Sequence, residues 1–594
     1  MSRRIAAIFW ILPGLCTAQV VATPAAPDNK AWIQRSNKFT QEVLDLEMRY
    51  APEEGTRNGL AQYDNDVSVP TLANMLAEDK EAAHLADEFE AQIKKEKDPN
   101  VAEDLQILAH NERLSIQIDN YSEGHRVPFR NPTSWIFSGL RALLDTQMPP
   151  ERKQAAVVRL QKYAGLAPGY RPLAAIMRER TEAQMAKSGM AYPSRRELET
   201  QLVRNATVIK GIADLFTRYN LTGWEEPFET LKKQLADYDA WQRATVLPKA
   251  TTGTGLQPQE YALRLEDYGV DTPPGRLAAL AHKAFIDIQA EMAPMAAEIA
   301  KTHGWPSADY RDVIAQLKKD QIADAEILPL YTDHLHAIEQ IIREQKLVTL
   351  PDRPAIIEMA TAAESVQQPA PHMRPPPLVH NTGQRGVFVL PANIPAGAGQ
   401  ADSTRLDDFS YEAASWTLIA HEARPGHELQ FDSMVERGVS LARAIYAQNS
   451  TNVEGWGLYS EYIVQPYMPK EGQLISLQGR LVRAARAFLD PELQSGKIQP
   501  EQAMIILTHD VCLSAPLANE EVERFTFRAP GQATSYFYGY TRLLELRKET
   551  EATLGYKFNL MRFHDFILAQ GLLPPSLMKK AVMEEFVPRE NTHP

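Results

Sequence analysis

Residues 421–430 read His421-Glu422-Ala423-Arg424-Pro425-Gly426-His427-Glu428-Leu429-Gln430, and the interpretation of the chain turns on how this stretch bends. Histidines four apart on a helix share a face and can reach one ion, and a glutamate beside the first can take a proton from water. Here the second histidine is six residues on. In a regular helix that is about 600° of rotation and about 9 Å of rise, too far for one ion. Pro425 and Gly426 change the geometry, because proline clashes with the carbonyl four residues back and glycine permits unusual dihedrals. The pair predicts a broken or bulged helix that swings His427 back beside His421. The competing reading is a helix that simply stops at Pro-Gly and carries two incidental histidines.

Upstream, Gly397-Ala398-Gly399 is a flexible break, and Asp402-Ser403-Thr404 with Asp407 in the capping-box position predicts a helix start. Leu406, Phe409, Ala413, Trp416 and Ala420 then form an apolar stripe at helical spacing that would carry His421 into the interior. Downstream, Glu454 lies 27 residues beyond His427 on a second helical stretch. His421, His427 and Glu454 would leave a fourth position open, the pattern of catalytic rather than structural zinc, so one Zn2+ per chain is expected. Glu461 shares a helix face with Glu454 and would orient a ligand imidazole or be a solvated surface residue.

The segments HEARPGHELQ (421–430) and EGWGLYSE (454–461) resemble the bacterial domain of unknown function 885 family, whose motifs are HExxPGHxxQ and EGWxLYxE. The resemblance continues through Arg483-Ala484-Ala485-Arg486, Asp490 and residues 529–536, so it is specific over roughly the last 200 residues. It implies a zinc metallopeptidase, distantly similar to carboxypeptidase Taq, thimet oligopeptidase and angiotensin-converting enzyme. The implied fold is mostly α, with two helical lobes flanking a long cleft. The chain departs from the family pattern at Pro491-Glu492-Leu493, where a glycine- and histidine-containing segment is usual.

Peptide hydrolysis also needs a donor for the oxyanion. Tyr536 matches the family position, Tyr540 shares its helix face and Tyr538 points away; His509 and His564 are weaker alternatives. Arg480, Arg483 and Arg486 recur every three residues and Arg524 follows. A guanidinium could clamp a substrate carboxylate, or these side chains could line a salt-bridged helix face. Gly386 to Leu390 is the clearest strand, either a small hairpin or an edge for an extended substrate.

The rest of the 594 residues sets bounds. Residues 29–350 are helical in texture almost throughout, and a Pro-rich change of texture at Pro351 suggests a helical N-terminal lobe (19–350) followed by a catalytic lobe (351–594), which could form one continuous domain. His334 and His336, two apart, would face different sides of a helix and share no metal. A net charge of −13 argues against nucleic acid, and no stretch is apolar for long enough to span a bilayer. Arg3, Arg4, the apolar run Ile5 to Leu15 and Cys16-Thr17-Ala18 read as a secretory signal (1–18), so export is expected. Lipid anchoring at Cys16 is the weaker reading because Leu15 is not small. Processing would leave Cys512 as a single thiol without a disulfide. Asn205, Asn220 and Asn449 match glycosylation sequons; the last lies five residues before Glu454, where a glycan would crowd the site, and with the cysteine count this makes a bacterial periplasmic setting the expectation. The expected activity is hydrolysis of short peptides by an exported carboxypeptidase, dipeptidase or oligopeptidase. A non-peptide amide hydrolase on the same zinc site, or a non-catalytic peptide- or metal-binding protein, are the alternatives. The retained Glu422 argues against pure binding, which needs the imidazoles but no base.

Overall fold

The computed structural model describes residues 31–145, 147–253, 255–391 and 407–592. The signal segment with Cys16, the glycines 397–399, the expected cap at 402–404 and Leu406 lie outside them. Among the described residues the chain is mostly helical with one small sheet.

Local signals set the helix ends. Thr71 accepts the amide of Asn74 to start Leu72–Ile93, and Asp98 accepts that of Asn100 ahead of Pro99–His125. Pro274–His303 closes on Gly304 in the left-handed region (φ 68°), which glycine enters without penalty. The apolar faces merge into three cores. One runs from Val43, Leu108 and Ile338 to Phe431, Trp456 and Phe586; a second joins Leu277 and Phe285 to Leu481 and Phe488. Both draw on residues either side of 350. The third gathers Phe137, Leu160, Phe216 and Leu231. No helix among the described residues is long and apolar enough to cross a membrane.

The sheet has the order β1 (Ile356–Met359), β3 (Val387–Leu390), β2 (His372–Arg374). β1 runs parallel to β3, with Ile357 opposite Phe388, and β2 runs antiparallel, with Met373 opposite Phe388. The strand around Phe388 is therefore central and fully buried, paired on both sides. It offers no edge to an extended substrate, which corrects that expectation.

Two helices frame the site. Lys470–Gln494 is buried along most of its length and packs against both Pro274–His303 and Glu412–Glu422. Its last turn holds Pro491, and Glu492 pairs with His282 at 2.9 Å and with Lys497, so the segment that departs from the family motif docks one helix on another. Ser450–Val464 crosses Thr534–Leu554 where Gly455 meets Gly539; a Cβ on Gly539 would lie 1.9 Å from the Thr451 carbonyl oxygen.

The helix bearing His421 starts at Glu412 with extended Tyr411 as its cap. Ahead of it, Lys318 draws in Asp407 (3.0 Å) and Asp408 (2.6 Å), and the amide of Ile322 donates to the Ser410 carbonyl (2.7 Å). Ala413 and Ala420 are buried as the stripe requires, while half-buried Trp416 stacks on His334 with ring centroids 4.4 Å apart.

Candidate metal centre

Helix Glu412–Glu422 stops one residue after His421, and a new helix, His427–Arg437, starts with His427 itself. The four residues between form a tight turn containing a cis Arg424–Pro425 peptide bond. Gly426 is obligatory there, since a Cβ would sit 1.8 Å from the His421 carbonyl oxygen. Arg424, fully buried, anchors the turn from beneath by donating to Glu428 (2.9 Å) and to the Arg353 carbonyl (2.9 Å), and it also pairs with Glu339. The imidazoles of His421 and His427 come to 4.6 Å between centroids, nearly perpendicular. Steric demand at Pro-Gly thus breaks the helix and brings the two rings together.

The third group arrives on Ser450–Val464. Glu454 Oε2 lies 3.4 Å from Nε2 of His421 and 3.4 Å from Nε2 of His427. Ligand atoms held about 2.0–2.1 Å from one tetrahedral ion stand roughly 3.3–3.4 Å apart, so the donor set fits zinc. Among the described residues this is the single group of three or more His, Cys, Asp or Glu with ligating atoms all within 4.8 Å of one another. Gly457 makes room for it: a Cβ there would lie 2.6 Å from His421 Cε1 and 2.9 Å from His427 Cε1. The chemistry-bearing residues point to the site in sequence; the glycines of EGWG show their purpose only in three dimensions.

Glu461 is buried and accepts the Nδ1–H of His421 at 2.8 Å, which orients the ring with Nε2 toward His427 and Glu454. Thr417 Oγ1 (2.5 Å) and Arg483 Nη2 (3.1 Å) hold the Glu461 carboxylate in turn. Burial raises the Glu461 carboxyl, but Arg483, His421 and Thr417 outweigh it and hold it below the usual range. The two histidines likewise overcome burial at Glu454 and hold it well below that range. Burial opposes charge on His421, yet hydrogen bonds to Glu454 and Glu461 carry it up to about 9. Glu422, with Oε1 4.0 Å from His421 Nε2, is pushed up by burial, against the pull of both histidines.

These groups line a cleft of about 1120 Å³, closed on the far side by Arg483, Arg486, Glu521, Arg524 and Tyr536. Tyr536 stacks near His421, 6.4 Å between centroids and 17° between planes, and its hydroxyl receives a hydrogen bond from Arg524 Nη1 at 3.2 Å. Burial and Glu454 raise its phenol, so it keeps its proton at neutral pH. Arg486 makes a two-point pair with Glu521 at 2.7 Å, and Arg524 reaches the same carboxylate at 3.5 Å. Those arginines outweigh burial and bring Glu521 down to about 2.

Three sequence candidates lie elsewhere. Tyr540 packs on Tyr462 (5.9 Å between centroids) and does not line the cleft. His509 is exposed and bonds Asp510 at 2.9 Å. His564 is fully buried, its Nδ1–H donating to the Leu347 carbonyl (2.7 Å) while the Tyr459 hydroxyl donates to Nε2 (2.7 Å). Tyr538 points away, as its spacing predicts, and bonds Asp271. Burial pushes the Cys512 thiol up to about 12, which leaves little thiolate for nucleophilic chemistry. Two sequons carry no available amide: Asn205 is buried against Asp239, and Asn449 caps the Glu454 helix while donating to the Ala447 and Leu572 carbonyls.

Residues 52–582 match the family model described as a bacterial protein of unknown function, DUF885. The chain belongs to the DUF885 family. Two solved structures share its fold. A candidate lipoprotein of unknown function from Shewanella oneidensis is 18% identical, with a TM-score of 0.68 over 94% of this chain and 100% of that one. A candidate lipoprotein from Colwellia psychrerythraea is 17% identical, with a TM-score of 0.72 over 94% and 99%. No curated protein matches this DUF885 chain.

Proposed function

We propose that this DUF885 chain is an exported zinc-dependent hydrolase that cleaves peptide bonds in short peptides. The observation that carries the reading is the equal 3.4 Å approach of Glu454 Oε2 to both imidazole Nε2 atoms, with the carboxylate of Glu422 beside them in an open cleft. His421, His427 and Glu454 would hold the metal. When bound, zinc supplies a Lewis acid that polarises a carbonyl and makes water acidic near neutral pH.

The chain supplies the rest. Glu422, its carboxyl raised by burial, takes a proton from the attacking water and passes it to the leaving amine, so water adds across the C–N bond. Tyr536 donates its phenolic proton in a hydrogen bond to the carbonyl oxygen as that atom becomes negative, and Arg524 holds the phenol in place. Glu461 keeps the His421 ring from rotating. Export rests on the N-terminal signal pattern, and the description of two similar structures as candidate lipoproteins supports it.

The test is metal analysis of the purified protein beside Glu422→Gln. About one zinc per chain is expected in both, with cleavage of a mixed tripeptide library by the parent alone. Zinc in both without cleavage by either would overturn the hydrolase reading.

A further inference from the structure

The cleft wall facing Glu454 carries more positive charge than its own acids neutralise. Four arginines lie on or near it, and their partners separate them. Arg480 is taken up by Gln465 and lies over the Tyr462 ring, outside the cleft. Arg483 is held by Glu461, the residue that orients His421. Arg486 and Arg524 share one carboxylate, Glu521. Arg486 gives Glu521 its Nε and one Nη, and its other Nη carries no hydrogen bond to a described residue. Two guanidiniums on one carboxylate leave one cationic charge facing the cavity, where a planar carboxylate is the natural complement.

The position of that charge relative to Tyr536 matters most. Arg524 Nη1 is 3.2 Å from the Tyr536 hydroxyl, and the Arg486 guanidinium lies 4.5 Å from the Tyr536 ring centroid. If Tyr536 marks the scissile carbonyl, a carboxylate on these arginines sits one or two residues along the substrate, since an extended residue advances about 3.3–3.6 Å. On the same wall a free N-terminal amine finds no unengaged carboxylate: Glu521 is paired with Arg486 and Arg524, and Asp408 is held by Lys318 and Ser514.

We propose that Arg486 and Arg524, braced by Glu521, bind the C-terminal carboxylate of the substrate, so that this chain removes one or two residues from the C-terminus of short peptides. The inference rests on the hydrolase reading for its chemistry, but the recognition is measured separately.

Zinc-loaded Glu422→Gln protein is titrated calorimetrically with trialanine, trialanine amide, N-acetyl-trialanine and the amide of Ala-Glu-Ala. Trialanine and its N-acetyl form should bind alike, and both amides about ten- to a hundredfold more weakly, the range of one or two charge-assisted hydrogen bonds. Adding Arg524→Gln should remove the preference for the free acid while zinc content and helical circular dichroism stay at parental levels. That control separates binding by arginine from direct ligation of the carboxylate to zinc. Equal binding of acid and amide, or of neither, overturns the proposal, as does an Ala-Glu-Ala amide that binds like a free acid. A preference for the free acid in Glu422→Gln, with no cleavage of any peptide by the parent, supports the carboxylate site and overturns the hydrolase alone.

Discussion

The indole N–H of Trp456 donates to the carbonyl oxygen of Pro425 over 2.9 Å, tying the helix that carries Glu454 to the turn that separates His421 from His427. The three proposed ligand positions come from separate helices, and this bond fixes one against the other two. Trp456→Phe fills most of the volume but leaves a buried carbonyl without its donor. Stability should fall by about 1–3 kcal/mol, and zinc affinity on the order of tenfold, as for other partners that orient ligands. Thermal unfolding and competition with a chromophoric chelator read the two effects. Unchanged zinc affinity in a destabilised protein would show that the bond serves the fold and not the metal.

Gly457→Ala isolates the metal centre more sharply. Alanine favours a helix interior by roughly 1 kcal/mol over glycine, yet its Cβ would lie 2.6 Å from His421 Cε1 and 2.8 Å from Nε2. The ring must turn away from Glu454. Helical circular dichroism should remain at the parental level while zinc falls from about one per chain toward none. A full zinc complement would mean that the imidazole can move aside and still bind, and that the close approach is not a requirement of the site.

The core of this centre was legible because it depends on local sterics. Proline and glycine between two histidines break a helix whatever surrounds them, and Glu454 and Glu461 come from one helix face. What escaped the sequence depends on where elements cross. Tyr540 shares a face with Tyr536, but residues four apart are about 6 Å apart along the axis, and only the first turn of Thr534–Leu554 meets the cleft. Arg483 and Arg486 sit three apart on one helix and look equivalent until their partners, Glu461 and Glu521, arrive from distant segments. The strand at Phe388 read as a possible edge because pairing on both sides is invisible in a single segment.

His564 makes stability depend on pH away from the metal centre. Burial holds its imidazole down to about 4, below the usual value of 6.5, and Arg547 adds to the effect. The unfolded chain therefore takes up the proton first as pH falls, and the folded state loses stability from about pH 6.5 until His564 itself titrates near 4. A depression of this size corresponds to about 3 kcal/mol when complete. Urea unfolding at pH 7, 5.5 and 4.5 should show the loss. His564→Gln, which can keep contacts to Tyr459 and the Leu347 carbonyl, should flatten the curve between pH 6.5 and 4. Identical pH slopes for the two proteins would assign the acid sensitivity to other groups.

Asp490 organises the other wall of the cleft. Its carboxylate accepts the Gly531 amide at 2.9 and 3.0 Å and the Tyr261 hydroxyl at 2.8 Å, at a turn where Gly531 has a φ of 91°. That turn leads directly into the helix bearing Tyr536 and contains Gln532, which accepts from Arg524 at 3.1 Å. Asp490→Ala leaves a buried amide and a buried hydroxyl without their acceptor, a cost of about 2–3 kcal/mol. None of the proposed metal ligands is on this turn, so zinc content should hold at about one per chain while KM for trialanine rises several-fold as Arg524 and Tyr536 lose their register. Zinc analysis, thermal unfolding and steady-state kinetics on one preparation separate the effects. Loss of zinc in step with activity would place Asp490 in the support of the metal and not of the substrate wall.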